Sequence, residues 1–468
     1  MRTILRKTRS SAGSDFEPIQ MLEVELSRPI PAAPGIDERT GRRYRRALSL
    51  VRLHTQPLGL IPIPLGEYGL SAEDYACVIH AALASEITVH VRADGLPDVH
   101  ALSVSGIAAG EVGQTPRCLK ARDAFLSDAP PFVSVIIPTR ERPNRLATCL
   151  RSILASDYPR DRYEIIVADN AKRTNGTADF VAGTYGDTET VRYSYEERPG
   201  SASARNRGLT ISRGEFVVFT DDDVVVDRHW LTEMVRAFGI EGDVGAVTGL
   251  VVPREIETPA QDWFEQYGGF TLAGYRRRAF NLTNHRLNTP LYPYAAGIYG
   301  TGNSMAFRTS LLRAIGAFDP ALGNGTPALG GVDSEVLLRT ILKGATIVYT
   351  PAAIVHHLHR REYTGLQRQM YNYGAGLTAY LLKTLVTNPR LALDMLSRVP
   401  RGVLVALRSP SAYQERKRTD FPRELTRLEL RGMLYGPIGY FRSCCTYGVH
   451  RPSRGEMHGG AGGSPHTV

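Results

Sequence analysis

Cysteine is sparse and poorly spaced for its structural uses: Cys77, Cys118, Cys149, Cys444 and Cys445 make an odd number, and no pair stands as CxxC. This argues against both a disulfide framework and a thiolate zinc site, and a reducing cytosol is the simplest compartment. Long apolar runs are missing as well. The greasiest stretches, Val133 to Pro138 and Phe216 to Thr220, are strand-sized, far short of the roughly 18 to 20 apolar residues that span a bilayer as a helix. That excludes a helical transporter or channel. The basic segment Met1 to Gly13 has no apolar stretch of the length a secretory signal needs, so a cytoplasmic location is expected and the sequons at Asn175, Asn281 and Asn324 read as chance matches.

Neither sign of charge dominates. Lys and Arg number 56 against 47 Asp and Glu, a net +9 over 468 residues, which favours anionic partners without naming one. The length predicts two or three domains at about 150 residues each, and there is no internal repeat.

Three regions differ in pattern. Residues 1 to 128 mix basic clusters, Pro-rich turns at Ile61 to Pro64 and a helical stretch at Ala72 to Ser85, and read as a small N-terminal α/β accessory module. Residues 129 to 362 alternate strand and helix signals, the pattern of an open wound α/β sheet. Val133 to Ile137 is a buried strand stopped by Pro138, followed by Leu146, Cys149, Leu150, Ile153 and Leu154 at helical spacing. Tyr163 to Ala168 ends in Asp169-Asn170, and Phe216 to Thr220 ends in Asp221-Asp222-Asp223. Ligands of such sheets bind outside the carboxyl ends of the strands, where these polar residues fall. Residues 363 to 468 form a helical C-terminal extension with a helix at Leu366 to Leu385 and a glycine-rich, disordered tail.

Three adjacent carboxylates at a strand end repel one another unless something positive joins them. A divalent cation with oxygen ligands, Mg²⁺ or Mn²⁺, does so and normally bridges to substrate phosphates. The plain alternative is an Asp-rich turn or a cap on the helix at Trp230 to Phe238.

The order of motifs is more specific than any one of them. Val133-Ser-Val-Ile-Ile-Pro-Thr-Arg140, Tyr163-Glu-Ile-Ile-Val-Ala-Asp-Asn170, Glu197-Arg-Pro-Gly-Ser-Ala-Ser-Ala-Arg-Asn-Arg-Gly-Leu209 and Thr220-Asp-Asp-Asp223 together resemble the donor-binding half of family 2 glycosyltransferases of the GT-A fold, over roughly half the chain. The resemblance implies an open wound mixed sheet and a nucleotide-sugar donor, with UDP favoured and dTDP or GDP sugars open. It places Pro138, Thr139 and Arg140 at the nucleotide base, Asp169 on the base or ribose, and Arg205 and Asn206 toward the donor. Asp221 and Asp222 then contact the donor, and Asp223 holds the metal.

The second half continues the resemblance. Gly300-Thr-Gly-Asn-Ser-Met-Ala-Phe-Arg308 matches the family's glycine-rich strand entry, which implies Gly302 and Asn303 at the acceptor. Gly330-Gly-Val-Asp-Ser-Glu335 matches the segment that usually reads Glu-Asp, and here Val332 stands for the Glu. Asp333 is the implied general base, with Glu335 beside it at the acceptor as runner-up base; the rival role for Asp333 is a helix N-cap. Among the histidines of Ala353-Ile-Val-His-His-Leu-His359, His356 fits best as a further metal ligand, with His357 and His359 as substitutes.

The resulting expectation is an inverting, metal-dependent sugar transferase acting on a carbohydrate, lipid-linked or small-molecule acceptor. A nucleotidyltransferase is the rival enzyme, but Pro138-Thr-Arg-Glu-Arg-Pro143 lacks the glycine-rich loop that chemistry uses. A non-catalytic carbohydrate- or nucleotide-binding protein is the rival from another class, opposed by the intact carboxylates. No nucleic-acid motif is present. Arg398 to Arg431 carries nine Arg or Lys against four Asp or Glu, which reads first as an ordinary solvated helix with an apolar core face and otherwise as peripheral contact with an inner membrane face.

Overall fold

A computed structural model describes residues 16–107, 115–170, 172–271, 273–398, 400, 418 and 420–450. The N-terminal segment builds β1 (Ile19–Glu25), the short β2 (Ala33–Pro34), β3 (Arg46–Leu53), β4 (Gln56–Pro64) and the short β5 (Gly69–Leu70). Strand β3 lies between a parallel β1 and an antiparallel β4. Helix α1 (Ala72–Ala93) starts at Ser71, whose side chain accepts from the Asp74 N–H. It runs past the predicted Ser85 because Ile79, Leu83, Ile87 and Val91 keep the helical period and stay buried. Helix α2 (Arg117–Ser127) closes the segment.

The main sheet has nine strands among the described residues. Strands β6 (Val133–Thr139), β7 (Tyr163–Asn170), β8 (Val191–Glu196) and β9 (Phe216–Phe219) are parallel neighbours, separated by α3 (Pro143–Leu154), α4 (Gly176–Tyr185) and α5 (Ser201–Ile211). Beyond them come β10 (Val224–Val226), α6 (Trp230–Arg236), β11 (Val244–Pro253), α7 (Pro259–Tyr267), β12 (Arg278–Phe280), β13 (Met305–Arg308), α8 (Thr309–Ala314), α9 (Val332–Leu342) and β14 (Thr346–His357). The order β10-β14-β11-β13-β9-β6-β7-β8, with β12 also on β14, makes the sheet mixed, since β13 is antiparallel to both β9 and β11. This is the α/β, open wound mixed sheet that the sequence predicts.

Alternation along the strands builds two cores. Val133, Val135 and Ile137 of β6 face Leu146, Cys149, Leu150 and Ile153 of α3, while Ile136 turns to the opposite side with Leu209 of α5. Burying each such aliphatic side chain contributes about 1.5–3 kcal/mol relative to exposure. Strand β14 is longer than expected from Thr346 to Tyr349 alone: register slips between Gly249 and Leu250 of β11, so Pro351 to Ala353 bulge out and pairing resumes at Ile354. A proline that reads as a stop is thus absorbed in a bulge.

The N-terminal sheet docks on the main one through the Ile19 N–H to the Ile256 carbonyl at 2.9 Å, Arg52 to Asp227 at 2.8 Å, and the Tyr44 hydroxyl to Glu257 at 2.7 Å. At the other end, α10 (Tyr363–Thr387) and α11 (Arg423–Tyr447) pack as a pair. Gly374 and Gly432 sit at their crossing, and a Cβ at Gly432 would run into the Tyr371 carbonyl of α10. Among the described residues no helix is long and apolar enough to cross a membrane. All five cysteines are free.

Gly432→Leu should therefore force α11 off α10, at the roughly 1–3 kcal/mol typical of overpacking or more. A lowered thermal midpoint with early proteolysis of α11 is expected; an unchanged midpoint would show that the close crossing does not stabilise the fold.

Candidate active site

The carboxyl ends of β6, β7 and β9 meet where Asp221-Asp222-Asp223 leaves the sheet. Each carboxylate has its own surroundings. Asp221, partly exposed, accepts from Arg205 of α5 at 3.1 Å. Asp222 is buried and accepts from the Thr139 hydroxyl at 2.7 Å and from Arg142 at 3.2 Å. Asp223 is approached by Arg145 at 3.5 Å and Arg142 at 3.8 Å, and on its other oxygen by His357 Nε2 at 3.5 Å. Burial first, then the neighbouring carboxylates, push Asp221 up to about 6, and the same two causes raise Asp222. The arginines compensate the clustered charge only in part.

A short polar chain joins this cluster to the second half of the sequence. Arg205 Nη2 reaches both Asp221 and the Gly302 carbonyl, at 3.4 Å, and the Gly302 N–H donates to Asp333 Oδ2 at 2.9 Å. A Cβ on Gly302 would stand 3.1 Å from Asp333 Oδ2 and 3.3 Å from Arg205 Nη2, so a side chain there crowds the junction. Asp333 lies in the first turn of α9 and its other oxygen accepts from the Ser334 N–H at 3.0 Å. It is not the N-cap; Gly331, at φ +83°, takes that place and lies so close to Gly376 of α10 that only glycine fits. Tyr373 of α10 feels the charge of both Asp333 and Asp221, and burial above all raises its pKa.

Other expected residues fall as follows. Pro138 and Thr139 end β6, and the Arg140 side chain is exposed beside them. Asp169 is fully buried at the end of β7; Oδ2 accepts from the Tyr193 hydroxyl at 2.9 Å, and Oδ1 is buried without a partner among the described residues. Burial raises its pKa against the pull of Tyr193 and Lys172. Asn303 is buried, with its side-chain oxygen on the Thr301 hydroxyl and its carbonyl on the Thr220 hydroxyl at 2.8 Å, so it holds the turn.

Three expectations are corrected. Asn206 bonds both ways to the Phe318 backbone, at 2.8 and 2.9 Å, and secures a loop instead of facing a donor. Glu335 does not reach the acceptor side: it is buried between Arg339, at 2.6 Å, and Lys383 of α10, which also lies 3.4 Å from Asp319. His356 points to the N-terminal sheet, 3.9 Å from Glu23, because strand alternation turns it away from the face that His357 shares with Asp223. His357 in turn meets His359 at 2.9 Å, and His359 meets Glu265 at 2.7 Å. Burial, against the attraction of Asp223, pushes His357 down to about 3, the neutral form that a metal takes.

Asp221 and Asp223, with the His357 imidazole 3.5 Å from Asp223, are a donor set suited to a divalent cation. Arg142, Arg145 and Tyr373 are the additions that the sequence reading did not place at the site, and His357, there a substitute for His356, is the histidine that lies beside Asp223. Arginine at three-residue spacing after a strand end was the available signal for the first two.

Comparison with known proteins bears on the same region. The profile described as glycosyl transferase family 2 matches residues 134–311. Over this segment the chain is similar to glycosyl transferase family 2. The match ends ahead of Asp333 and His357, whose placement rests on the geometry. The pre-mycofactocin glycosyltransferase of Mycobacterium tuberculosis (strain ATCC 25618 / H37Rv) is 28% identical over 233 residues, 49% of this chain and 43% of that protein. The glucosyl-dolichyl phosphate glucuronosyltransferase of Haloferax volcanii is 24% identical over 230 residues, 48% of this chain and 68% of that protein. The chain spans less than half the length of the first relatives it matches. Among solved structures, the mannosyltransferase PcManGT from Pyrobaculum calidifontis, in complex with GDP-Man and Mn²⁺, is 19% identical, covering 70% of this chain and 95% of that one with a TM-score of 0.41.

The Glu335 network carries a pH signature. Burial alone would raise the Glu335 pKa, but Arg339 and Lys383 outweigh it and hold it down to about 2, against 4.5 in the unfolded chain. Its stabilisation is thus complete above about pH 4.5 and is lost as pH falls toward 2. Glu335→Gln, which leaves buried cations without their partner, should cost about 3–5 kcal/mol at neutral pH. The gap in thermal midpoint between wild type and variant should narrow as pH drops from 4.5 toward 2; a constant gap would exclude the ion pairs as its origin.

Proposed function

We propose that the chain transfers a sugar from a nucleotide-sugar donor, UDP-linked by the family resemblance, to an acceptor hydroxyl in one step with inversion. The observation that supports this most directly is the chain of contacts Asp221–Arg205–Gly302–Asp333, which sets a carboxylate with reachable lone pairs beside a cluster suited to a diphosphate. Asp333 accepts the proton of the acceptor hydroxyl as its oxygen attacks the anomeric carbon. Backbone N–H groups occupy one lone pair on each Asp333 oxygen, which orients the carboxylate and leaves it able to take the proton. Arg205 sits where negative charge develops on the leaving diphosphate, and the close Gly302 backbone lets donor and acceptor approach. Asp169 Oδ1, a buried acceptor with no partner among the described residues, suits a ribose hydroxyl or base N–H. Asp221, Asp223 and His357 would hold Mn²⁺ or Mg²⁺, whose charge stabilises the departing diphosphate.

The acceptor is proposed to lie at a membrane surface. Residues 399, 401–417 and 419 of the basic stretch at 398–431 lie outside the described residues. The part that is described, with the rest of α11, presents Leu430, Leu434, Ile438 and Phe441 exposed at helical spacing, Leu434 at 79%, with Arg427, Arg431 and Arg442 exposed among them. An apolar stripe bordered by arginines suits an anionic bilayer surface. The name of the Haloferax volcanii relative, which specifies a dolichyl phosphate, agrees with a lipid-linked acceptor.

Asp333→Asn keeps the shape but cannot take a proton, so transfer should fall by roughly 10²–10⁴ while nucleotide binding persists; near wild-type transfer would remove Asp333 from the role. Asp223→Ala should abolish the gain in UDP affinity that Mn²⁺ confers, read by calorimetry, and an undiminished gain would place the ion elsewhere. For the membrane reading, the full chain should co-sediment with anionic but not neutral vesicles at low salt, and Leu434→Glu with Phe441→Glu should release it. Equal pelleting with both vesicles, or none, would mean that α11 is only a supporting helix.

A further inference from the structure

Apart from the carboxylate cluster, the N-terminal segment gathers four metal-binding side chains in one place. His54 comes from the tip of the β3–β4 hairpin, His90 and Asp94 stand one turn apart at the end of α1, and Cys118 lies in the first turn of α2. One ligand atom from each lies within 4.8 Å of all the others. His54 and Asp94 are buried, and His90 and Cys118 are half-buried.

The convergence is on a single atom. Asp94 Oδ2 is 2.7 Å from His54 Nδ1, 3.2 Å from His90 Nε2 and 3.0 Å from Cys118 Sγ, and the two imidazole nitrogens are themselves 3.2 Å apart. Three groups crowd one carboxylate oxygen, while Asp94 Oδ1 is held separately by the Cys118 backbone N–H at 2.9 Å. That bond fixes the carboxylate with Oδ2 turned inward, the outer-sphere support that metal ligands commonly receive.

We propose that His54, His90, Asp94 and Cys118 bind one zinc ion that clamps the hairpin tip to the ends of α1 and α2. Two nitrogens, one oxygen and one sulfur form a closed tetrahedral set of the structural kind. Zinc at about 2.0–2.3 Å from each donor sets the donors about 3.3–3.7 Å from one another, so the three donors around Asp94 Oδ2 draw back from it by roughly half an ångström on binding. The Cys118 thiol loses its proton to solvent as the Zn–S bond forms, and the two anionic ligands then balance the ion's charge.

The hairpin tip is built to hold His54 in place. His54 and Thr55 adopt φ of +52° and +70°, unusual for residues other than glycine. Both N–H groups donate to the Glu25 carboxylate, at 2.9 and 2.8 Å, and Arg122 of α2 donates to the Thr55 hydroxyl at 2.6 Å. The site uses a single cysteine and residues distant in sequence, so cysteine spacing does not reveal it.

Elemental analysis of the full chain, expressed with added zinc and desalted, should find about one zinc per chain. Asp223→Ala should keep it, which separates this ion from any at the donor cluster, whereas His90→Ala and Cys118→Ser should lose it. Wild type stripped with a chelator and refilled with Co²⁺ should show a thiolate-to-cobalt charge-transfer band, and zinc should raise its thermal midpoint. If Cys118→Ser fails to fold, the wild-type cobalt spectrum decides alone. Wild type that retains no zinc and gives no charge-transfer band would overturn the proposal and leave the four residues as a hydrogen-bonded core.

Discussion

The structure is organised around a concentration of negative charge at the end of β9. Three carboxylates follow one another at Asp221, Asp222 and Asp223, a fourth at Asp333 acts on Asp221, and the burial of Asp222 and Asp223 limits the solvent that would screen their repulsion. Arg142 and Arg145 at the start of α3 and Arg205 on α5 answer part of that charge. Burial first, and then the neighbouring carboxylates, still push the Asp221 pKa up to about 6 against the pull of Arg205. A cation and an anionic diphosphate arriving together would complete the balance, which is why the proposed chemistry follows from the electrostatics and not from the fold alone.

Placement of Asp333 depends on contacts that take no part in that chemistry. Helix α9 is set by Gly331, which lets the chain turn against Gly376, and by Glu335, which ties the helix to Lys383 of α10. Helix α10 is in turn held by α11 at Gly374 and Gly432. A carboxylate two residues from the proposed base is therefore spent on anchoring, and its partners keep it ionised. The exposed face of α11 reaches back to the same support, so a surface that docked there would be mechanically linked to the acceptor side.

Much of the wound sheet was legible because its strands are short apolar runs that end in polar residues, as at Ile137-Pro138, Ala168-Asp169 and Phe219-Thr220. Helix α1 outran its reading since apolar residues continue at helical spacing beyond Ser85. The histidines show the limit. Choosing between His356 and His357 requires knowing that β14 continues through a bulge after Pro351, because a one-residue change of register exchanges the two faces. Glu335 and Asn206 were misread for a related reason: a polar residue inside a motif looks functional until its buried partners, Lys383 and the Phe318 backbone, are brought in from distant sequence. The cluster around Asp94 was illegible altogether, since only the fold joins its members.

On the proposed function, the Asp221–Asp223 end of β9 holds a metal-bound nucleoside diphosphate with Asp333 across Gly302 from it. Crystals grown with UDP and Mn²⁺, measured at the manganese absorption edge, test it most directly. An anomalous peak within bonding distance of Asp223, diphosphate oxygens on that ion, and Asp333 facing the site of transfer are expected. Bound UDP whose diphosphate lies elsewhere, or manganese absent from Asp223 while nucleotide is present, would contradict it.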